Sequence, residues 1–335
     1  MNFEFSSDQM LLRDQARKFL ENEESVKKAR EVLEGDQTHD ESLWRSVVEM
    51  GWTATTIPEE FDGLGLGYLE LCVIAEELGR SLAPTPFSSS VYLATEALIN
   101  QGSKEQHQKY LPKLAAGEIV GTLAHTETTN SPSPENLNCE LSNNKLNGIK
   151  IAVTDGDVAN FAVVSAKEGD KVVLGLVDLA SKGVEITSQN TLDPSRSHAS
   201  IKFKDADAEI LGSSQDGWVA LQEILDHAAV LFAFEQLGGA EACMDMAKEY
   251  AMGRFAFGRP IASFQAIKHK IADMYIAVEL ARSNCYFGAW ALSTNAPELA
   301  TAAATARVSA SKAFHECSKE NIQTHGGMGF TWEFD

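Results

Sequence analysis

RFAFGRPIASFQAIKHKIADM, residues 254–274, and QTHGGMGFTWE, residues 323–333, are the two stretches from which the rest of this chain is best read. The first sets Arg254 at the end of one long helix and Gln265 and His269 at the start of the next, with Gly258 and Pro260 at the corner between them. As plain structure this is a helix–turn–helix connection with an exposed arginine. As chemistry, Arg254, Phe257 and Gln265 offer a guanidinium, an aromatic face and an amide to one elongated ligand. The second stretch closes another helix with the pair Gly326 and Gly327, where a backbone without side chains can approach a phosphate-bearing ligand closely.

Outward from these segments the chain reads as helices, then strands, then helices. Ser6 and Ser7 are candidate caps for a helix through DQMLLRDQARKFLENEE, with Met10, Leu11, Ala16, Phe19 and Leu20 as its apolar residues. A second helix through ESLWRSVVEMG is expected to end at Gly51, and SKEQHQKYLPKLAAGE to form a helix interrupted at Pro112. From Gly121 to Gly212 the texture changes to short β-rich runs (IVGTLAH, KIAVT, FAVVSA, VVLGLVDL, VEITSQ, ASIKF) parted by turn signals such as NN and DGD. That pattern predicts a compact barrel or sandwich. Alanine-rich helical stretches follow at 228–252, 262–293 and 296–320. The expected division is a helical domain over 1–120, a β domain over 121–213 and a helical bundle over 214–335.

The chain has 335 residues and a formal net charge of −20. So large a negative surplus repels phosphate backbones and anionic lipid, which excludes nucleic acid and membrane as principal partners. The five scattered cysteines (Cys72, Cys139, Cys243, Cys285, Cys317) form no CxxC pair and fit reduced thiols in a cytoplasmic setting, with no metal site expected. The first ten residues carry no signal-peptide pattern, and no run of about 18 apolar residues is apparent, so no bilayer span is expected. GLGLG at 63–67 lacks the spacing of a dinucleotide fingerprint and reads as a loop.

Taken together the segments resemble the acyl-CoA dehydrogenase family over nearly the whole chain. FEFSSDQMLLRDQARKFL, GWTATTIPEEFDGLGLGYLELCVIAEELGRSLAP and KYLPKLAAGEIVGT look like its N-terminal domain, and the two stretches quoted first look like its C-terminal signatures. The resemblance implies a multidomain α and β chain, with an N-terminal all-α domain, a middle β-barrel and a C-terminal four-helix bundle. It implies FAD as cofactor, an acyl-CoA substrate, electron-transferring flavoprotein as acceptor, and a homo- or hetero-oligomeric dimer or tetramer. It further implies that Arg254, Phe257, Gln265, Gln323, Gly326 and Gly327 grip the adenine and pyrophosphate end of FAD. Thr126 and Glu127 match a threonine–glutamate pair beside the flavin, and Thr154 matches the threonine of a G-x-K-x-W-I-T segment. Here that segment reads GIKIAVT, with Ala152 where an aromatic residue covers the flavin ring, and the loop TTNSPSPEN lacks the expected glycine-rich turn.

The reaction implied is removal of the proton α to a thioester with hydride transfer from the β carbon to flavin, and it needs a base. One family position for that glutamate lies beyond Asp335 as the sequence stands, and the other falls on Ala228. Asp226 is about 200° around the helix from Ala228, and Glu235 shares its face but sits about 10 Å along the axis. No catalytic residue is therefore assigned from the sequence. Three readings remain open: an FAD-dependent acyl-CoA dehydrogenase, a catalytically incomplete partner subunit of a heteromeric one, or a relative with other flavin chemistry such as a nitroalkane oxidase or an N-hydroxylating flavoenzyme.

Overall fold

The structure, a computed structural model, describes residues 5–212 and 216–335. The boundary expected between residues 213 and 214, and the first four residues of the leader reading, lie outside them. Helix α1 (Ser7–Asn22) opens with the reciprocal cap that the sequence allows: the Ser6 hydroxyl accepts from the Gln9 N–H, and the Gln9 side chain accepts from the Ser6 N–H. Its buried line runs through Gln9, Ala16 and Leu20, so Met10 and Leu11, expected in the apolar stripe, turn outward at 47% and 57% exposure. They sit about 100° and 200° around the helix from Gln9.

Helices α2 (Ser25–Glu34) and α3 (Glu41–Glu49) follow, and Gly51 takes up the left-handed conformation (φ 76°) just past the end of α3, as expected. The glycine-rich stretch is a loop, in which a Cβ at Gly63 would stand 1.8 Å from the Ile57 carbonyl oxygen. After α4 (Tyr68–Arg80), a π-helical segment, Ser88–Thr95, is buried at every position and runs directly into α5 (Glu96–Gln101). Helix α6 (Lys104–Ala115) continues through Pro112 instead of breaking there: the proline sits near its end, and the Ala116 N–H still closes on the Pro112 carbonyl at 3.0 Å.

Seven strands come next: β1 (Gly121–Ala124), β2 (Glu140–Ser142), β3 (Lys145–Thr154), β4 (Phe161–Glu168), β5 (Lys171–Asp178), β6 (Val184–Ser188) and β7 (His198–Ile210). Pairings β4–β5, β5–β7, β7–β3, β3–β2 and β2–β4 return to their starting strand, which makes the sheet barrel-like; β1 adds in parallel to β4, and β6 pairs with β7. Asn143 and Asn144, at φ 51° and 59°, form the tight turn that joins β2 to β3. Strand β2 escaped the sequence reading because its three residues hold a single apolar side chain.

The C-terminal helices are α7 (Gly217–Gly253), α8 (Gln265–Ser293), α9 (Leu299–His325) and the single turn α10 (Gly327–Phe330), with a hairpin of β8 (Phe255–Ala256) and β9 (Arg259–Pro260) between α7 and α8. Contrary to the sequence reading, α7 is long and apolar enough, by length and composition alone, to cross a bilayer. Its Leu221, Ile224, Val230, Leu231, Phe234 and Leu237 are at most 1% exposed and pack inside the protein.

The chain forms two compact units. One comprises Met1–Glu23, Tyr68–Leu82 and Ala229–Asp335; the other comprises Glu24–Gly67 and Ala83–Ala228. In the first, Gly79 and Gly238 let α4 and α7 meet backbone to backbone: a Cβ on Gly238 would fall 1.9 Å from the Glu76 carbonyl oxygen, and one on Gly79 would fall 2.0 Å from that of Glu235. Gly239 likewise faces the Phe314 ring. These small residues serve close helix packing.

Candidate functional site

In the first compact unit the two signature stretches meet. The Arg254 N–H closes the last turn of α7 on the Tyr250 carbonyl at 2.8 Å. The Tyr250 ring stacks on His325 at 4.2 Å, and its hydroxyl lies 3.6 Å from Met328 Sδ. The end of α7 is thereby fixed beside the Gly326–Gly327 turn. Helices α8 and α9 run antiparallel, tied by the Lys270–Glu320 ion pair and by the Cys317 thiol donating to the Met274 carbonyl at 3.8 Å. That register, continued, places Gln265 across from the end of α9.

The group is open and strained in a way that invites a ligand. Arg254, Phe257, Gln265, Gln323, Gly326 and Gly327 are all exposed, and Arg254 forms no ion pair among the described residues. Phe257 and Gly258 occupy the hairpin turn with φ 53° and 78°. The left-handed region is unfavourable for an aromatic residue, yet the ring is held 97% exposed. Gly326 has φ 61° and ψ −130°, a conformation suited to glycine, and no atom lies within 4 Å of a Cβ built on Gly326 or Gly327. A guanidinium, a presented ring and open glycine backbone fit the adenine–pyrophosphate portion of FAD.

The other two expected residues lie in the second unit. Thr126 follows β1, and its carbonyl accepts the Ile151 N–H at 2.8 Å; Thr154 ends β3, its carbonyl accepting the Thr122 hydroxyl at 2.6 Å. Ala152 sits at a register shift in β3 with φ 50°, exposed, its N–H donating to Gln189 Oε1 at 3.0 Å. Glu127 does not face outward. Its Oε1 accepts from Lys150 Nζ at 2.7 Å, and its carboxylate also accepts the N–H groups of Asn138 (2.6 Å) and Cys139 (3.1 Å). Lys150 is fully buried, and burial holds its pKa down. Burial alone would raise Glu127, but the hydrogen bond and charge of Lys150 with the backbone donors bring its carboxyl below the ordinary range. Nearby His125 is pushed down to about 4, first by burial and then by Lys150. Sequence reading missed Lys150 as a partner; the signal present was its place in GIKIAVT.

Beside Thr154, the buried carboxylate of Asp155 ties the barrel to the π-helical segment. It accepts the Ser89 hydroxyl at 2.6 Å and that of Ser197 at 3.4 Å. Burial raises its pKa to about 6 against the hydrogen bond of Ser89 and the charge of Arg196. A raised carboxylate pKa supplies stability that is complete below about pH 4 and lost as pH rises through about 6, a span of about 3 kcal/mol. Asp155→Asn is expected to remove that slope, so urea unfolding at pH 4.5 and 7 should differ less in the variant than in the wild type.

Neither acid weighed from the sequence stands at the base position. Ala228 is 2% exposed; Asp226 is half-buried and pushed up by burial; Glu235 is buried within α7, where its backbone meets Gly79 of α4. No group of three or more His, Cys, Asp or Glu side chains able to hold a metal occurs among the described residues, and all five cysteines are free.

Residues 6–118 match the family profile "Acyl-CoA dehydrogenase, N-terminal domain", and residues 215–335 match "Acyl-CoA dehydrogenase, C-terminal domain". The acyl-CoA dehydrogenase IpdE2 of Mycolicibacterium smegmatis is 33% identical over 333 residues, spanning 98% of this chain and 90% of that protein. Among solved structures, a chain from work on the electron transferring flavoprotein of Acidaminococcus fermentans and flavin-based electron bifurcation superposes with a TM-score of 0.92 at 27% identity, covering 100% of this chain and 91% of its own. A chain of the ChsE4–ChsE5 complex from Mycobacterium tuberculosis follows with a TM-score of 0.89 at 26% identity, covering 100% and 90%.

Proposed function

The chain belongs to the acyl-CoA dehydrogenase family, and from that premise we propose that it desaturates an acyl-CoA thioester at the α,β bond, in lipid metabolism, with FAD as cofactor; within the first unit Arg254, Phe257, Gln265, Gln323, Gly326 and Gly327 are the proposed contacts to its adenine and pyrophosphate, and within the second Thr126 and Thr154 are proposed contacts to the flavin. Bound FAD supplies the acceptor for the hydride that leaves the β carbon. The chain's own residues bind and orient it. The Arg254 guanidinium balances pyrophosphate charge, the peptide groups of Gly326 and Gly327 approach it without side-chain obstruction, and the Phe257 ring offers a stacking face. With a chain charge of −20, those placed groups work against an unfavourable overall field.

The observation that carries this reading is the Tyr250–His325–Met328 contact, which brings the Arg254 turn and the Gly326–Gly327 turn together. Arg254→Ala is expected to weaken FAD retention by roughly 10- to 100-fold, as loss of a charge-assisted hydrogen bond does. Unchanged FAD content after extensive dialysis would remove Arg254 from the site. Electron-transferring flavoprotein is the proposed acceptor and the cytoplasm the proposed setting. The division at 1–120, 121–213 and 214–335 is the proposed domain plan.

A second reading is favoured by Ala228, which supplies no carboxylate where the family places one of its two bases. In it the chain is a catalytically incomplete subunit that pairs with a related chain and completes the partner's FAD site; similarity to a chain of the two-protein ChsE4–ChsE5 complex supports it. FAD content measured with and without a co-expressed homologue separates the two. A preparation that is colourless alone and yellow with the homologue selects the partner reading.

A further inference from the structure

The stretch KYLPKL, the second half of α6, borders a cavity that the proposed chemistry does not use. The cavity measures about 550 Å³ and opens on one side, the size and form of a small-molecule site. Every residue lining it belongs to the second compact unit, and neither Thr126 nor Thr154 is among them. Five parts of the chain supply its apolar wall: Tyr110 on α6, Ile119 before β1, Phe161 opening β4, Leu179 after β5 and Ile186 in β6. The Tyr110 and Phe161 rings stand 4.9 Å apart, and Ile186 keeps 38% of its surface exposed.

Asn160 holds this wall in place. Its N–H and Oδ1 pair with the carbonyl and N–H of Val120, both at 2.8 Å, and its own carbonyl accepts the Leu179 N–H at 2.9 Å. The Asn160 Nδ2 protons then have no partner among the described residues. Lys109 and Lys113 stand about one helical turn apart on α6, and both line the cavity. Lys109 answers Glu209 at 3.6 Å and lies 4.7 Å from the centre of the Tyr110 ring. Lys113 forms no ion pair among the described residues, although the chain carries 48 acidic against 28 basic side chains. Asp178 is the one acid in the lining, and its Oδ1 accepts the Ala180 N–H at 2.9 Å.

An uncharged apolar ligand would leave the Lys113 ammonium and the Asn160 amide to water, and a bare anion would leave the apolar wall wet. A carboxylate on an apolar body answers both, through charge-assisted hydrogen bonds at one end and burial of hydrocarbon at the other. We propose that this cavity binds a small amphipathic carboxylate, a free medium-chain or aromatic acid, with its charge on Lys113 and Asn160 Nδ2 and its apolar body against Tyr110, Phe161 and Ile186. No bond is made or broken there, and such a site stands independently of the acyl-CoA reading.

Isothermal titration calorimetry of the purified chain, with the FAD it carries, tests this with octanoate and with benzoate, which separate an aliphatic from an aromatic occupant. The better acid should bind with a dissociation constant below about 1 mM, and its alcohol, octanol or benzyl alcohol, about tenfold more weakly. Lys113→Gln should weaken the acid by roughly 10- to 100-fold and leave the alcohol unchanged, with melting temperature at the wild-type value because the side chain is exposed and unpaired. Ile186→Asp should weaken acid and alcohol alike. Saturating octanoyl-CoA, whose thioester carries no free carboxylate, should leave the acid's affinity unchanged. No binding of either acid, equal affinity for acid and alcohol, or wild-type affinity in either variant would overturn the proposal. So would displacement by octanoyl-CoA, since the acid would then occupy the thioester's own site.

Discussion

Lys150→Met should lower stability by about 3–5 kcal/mol, because it removes the cation from a buried pair and leaves the anion behind. Lys150 is fully buried, with Nζ also 3.1 Å from the Ser165 hydroxyl, and its partner Glu127 is held by two further backbone donors, so the carboxylate cannot swing out to water. The expected drop in melting temperature is roughly 5–15 °C. Because the pair joins β3 to the segment after β1, and so sets Thr126 against Ile151, FAD occupancy should fall with it. Lys150→Met combined with Glu127→Gln should recover most of the lost stability, since neither charge then remains unpaired. Urea unfolding of the two variants checks both statements. A single variant within about 1 kcal/mol of wild type would show that the pair does not hold the barrel.

The second large effect is expected at the crossing of α4 and α7. Gly238→Ala would drive its Cβ to 1.9 Å from the Glu76 carbonyl oxygen and 2.9 Å from the Arg80 nitrogen, both backbone atoms that cannot rotate away. The helices must separate, and with them the ion pairs that bridge this region: Arg282 to Glu76 at 2.7 Å and to Glu241 at 2.8 Å, and Arg80 to Asp245 at 2.9 Å. A loss of about 3 kcal/mol is expected for Gly238→Ala and a similar loss for Gly79→Ala. Once either substitution has parted the helices the other has less to disrupt, so the double variant should lose less than the sum. Gly253→Ala, whose Cβ would meet nothing within 4 Å, should unfold at the wild-type urea concentration.

What the sequence made legible was local or motif-borne. The Ser6 cap, the Gly51 stop and the β-rich texture from Gly121 all depend on neighbours a few residues apart. The signature stretches single out Arg254, Gln265 and Gly326 by motif alone. Pairings across long separations left no periodic trace: Lys150 with Glu127 is 23 residues apart, His227 with Glu96 is 131, and Arg282 with Glu76 is 206. The packing role of Gly238 and Gly239 is equally hidden in the sequence. A small residue reads the same whether it empties a pocket or admits a neighbouring backbone, and only the Glu76 carbonyl and the Phe314 ring decide it. Pro112 misled because the helix carries on past it for one further turn, the Ala116 N–H closing on the Pro112 carbonyl, even though the proline supplies no N–H of its own.

An anaerobic titration of the purified chain's flavin absorbance with butyryl-, isovaleryl-, octanoyl- and cyclohexanecarbonyl-CoA bears on the whole reading at once. The expected result is a yellow protein carrying FAD whose colour bleaches with one of these thioesters, with an equal amount of the α,β-unsaturated product formed. A protein that holds FAD firmly yet keeps its colour with all of them, both alone and with a co-expressed homologue, would contradict the assignment as an acyl-CoA dehydrogenase.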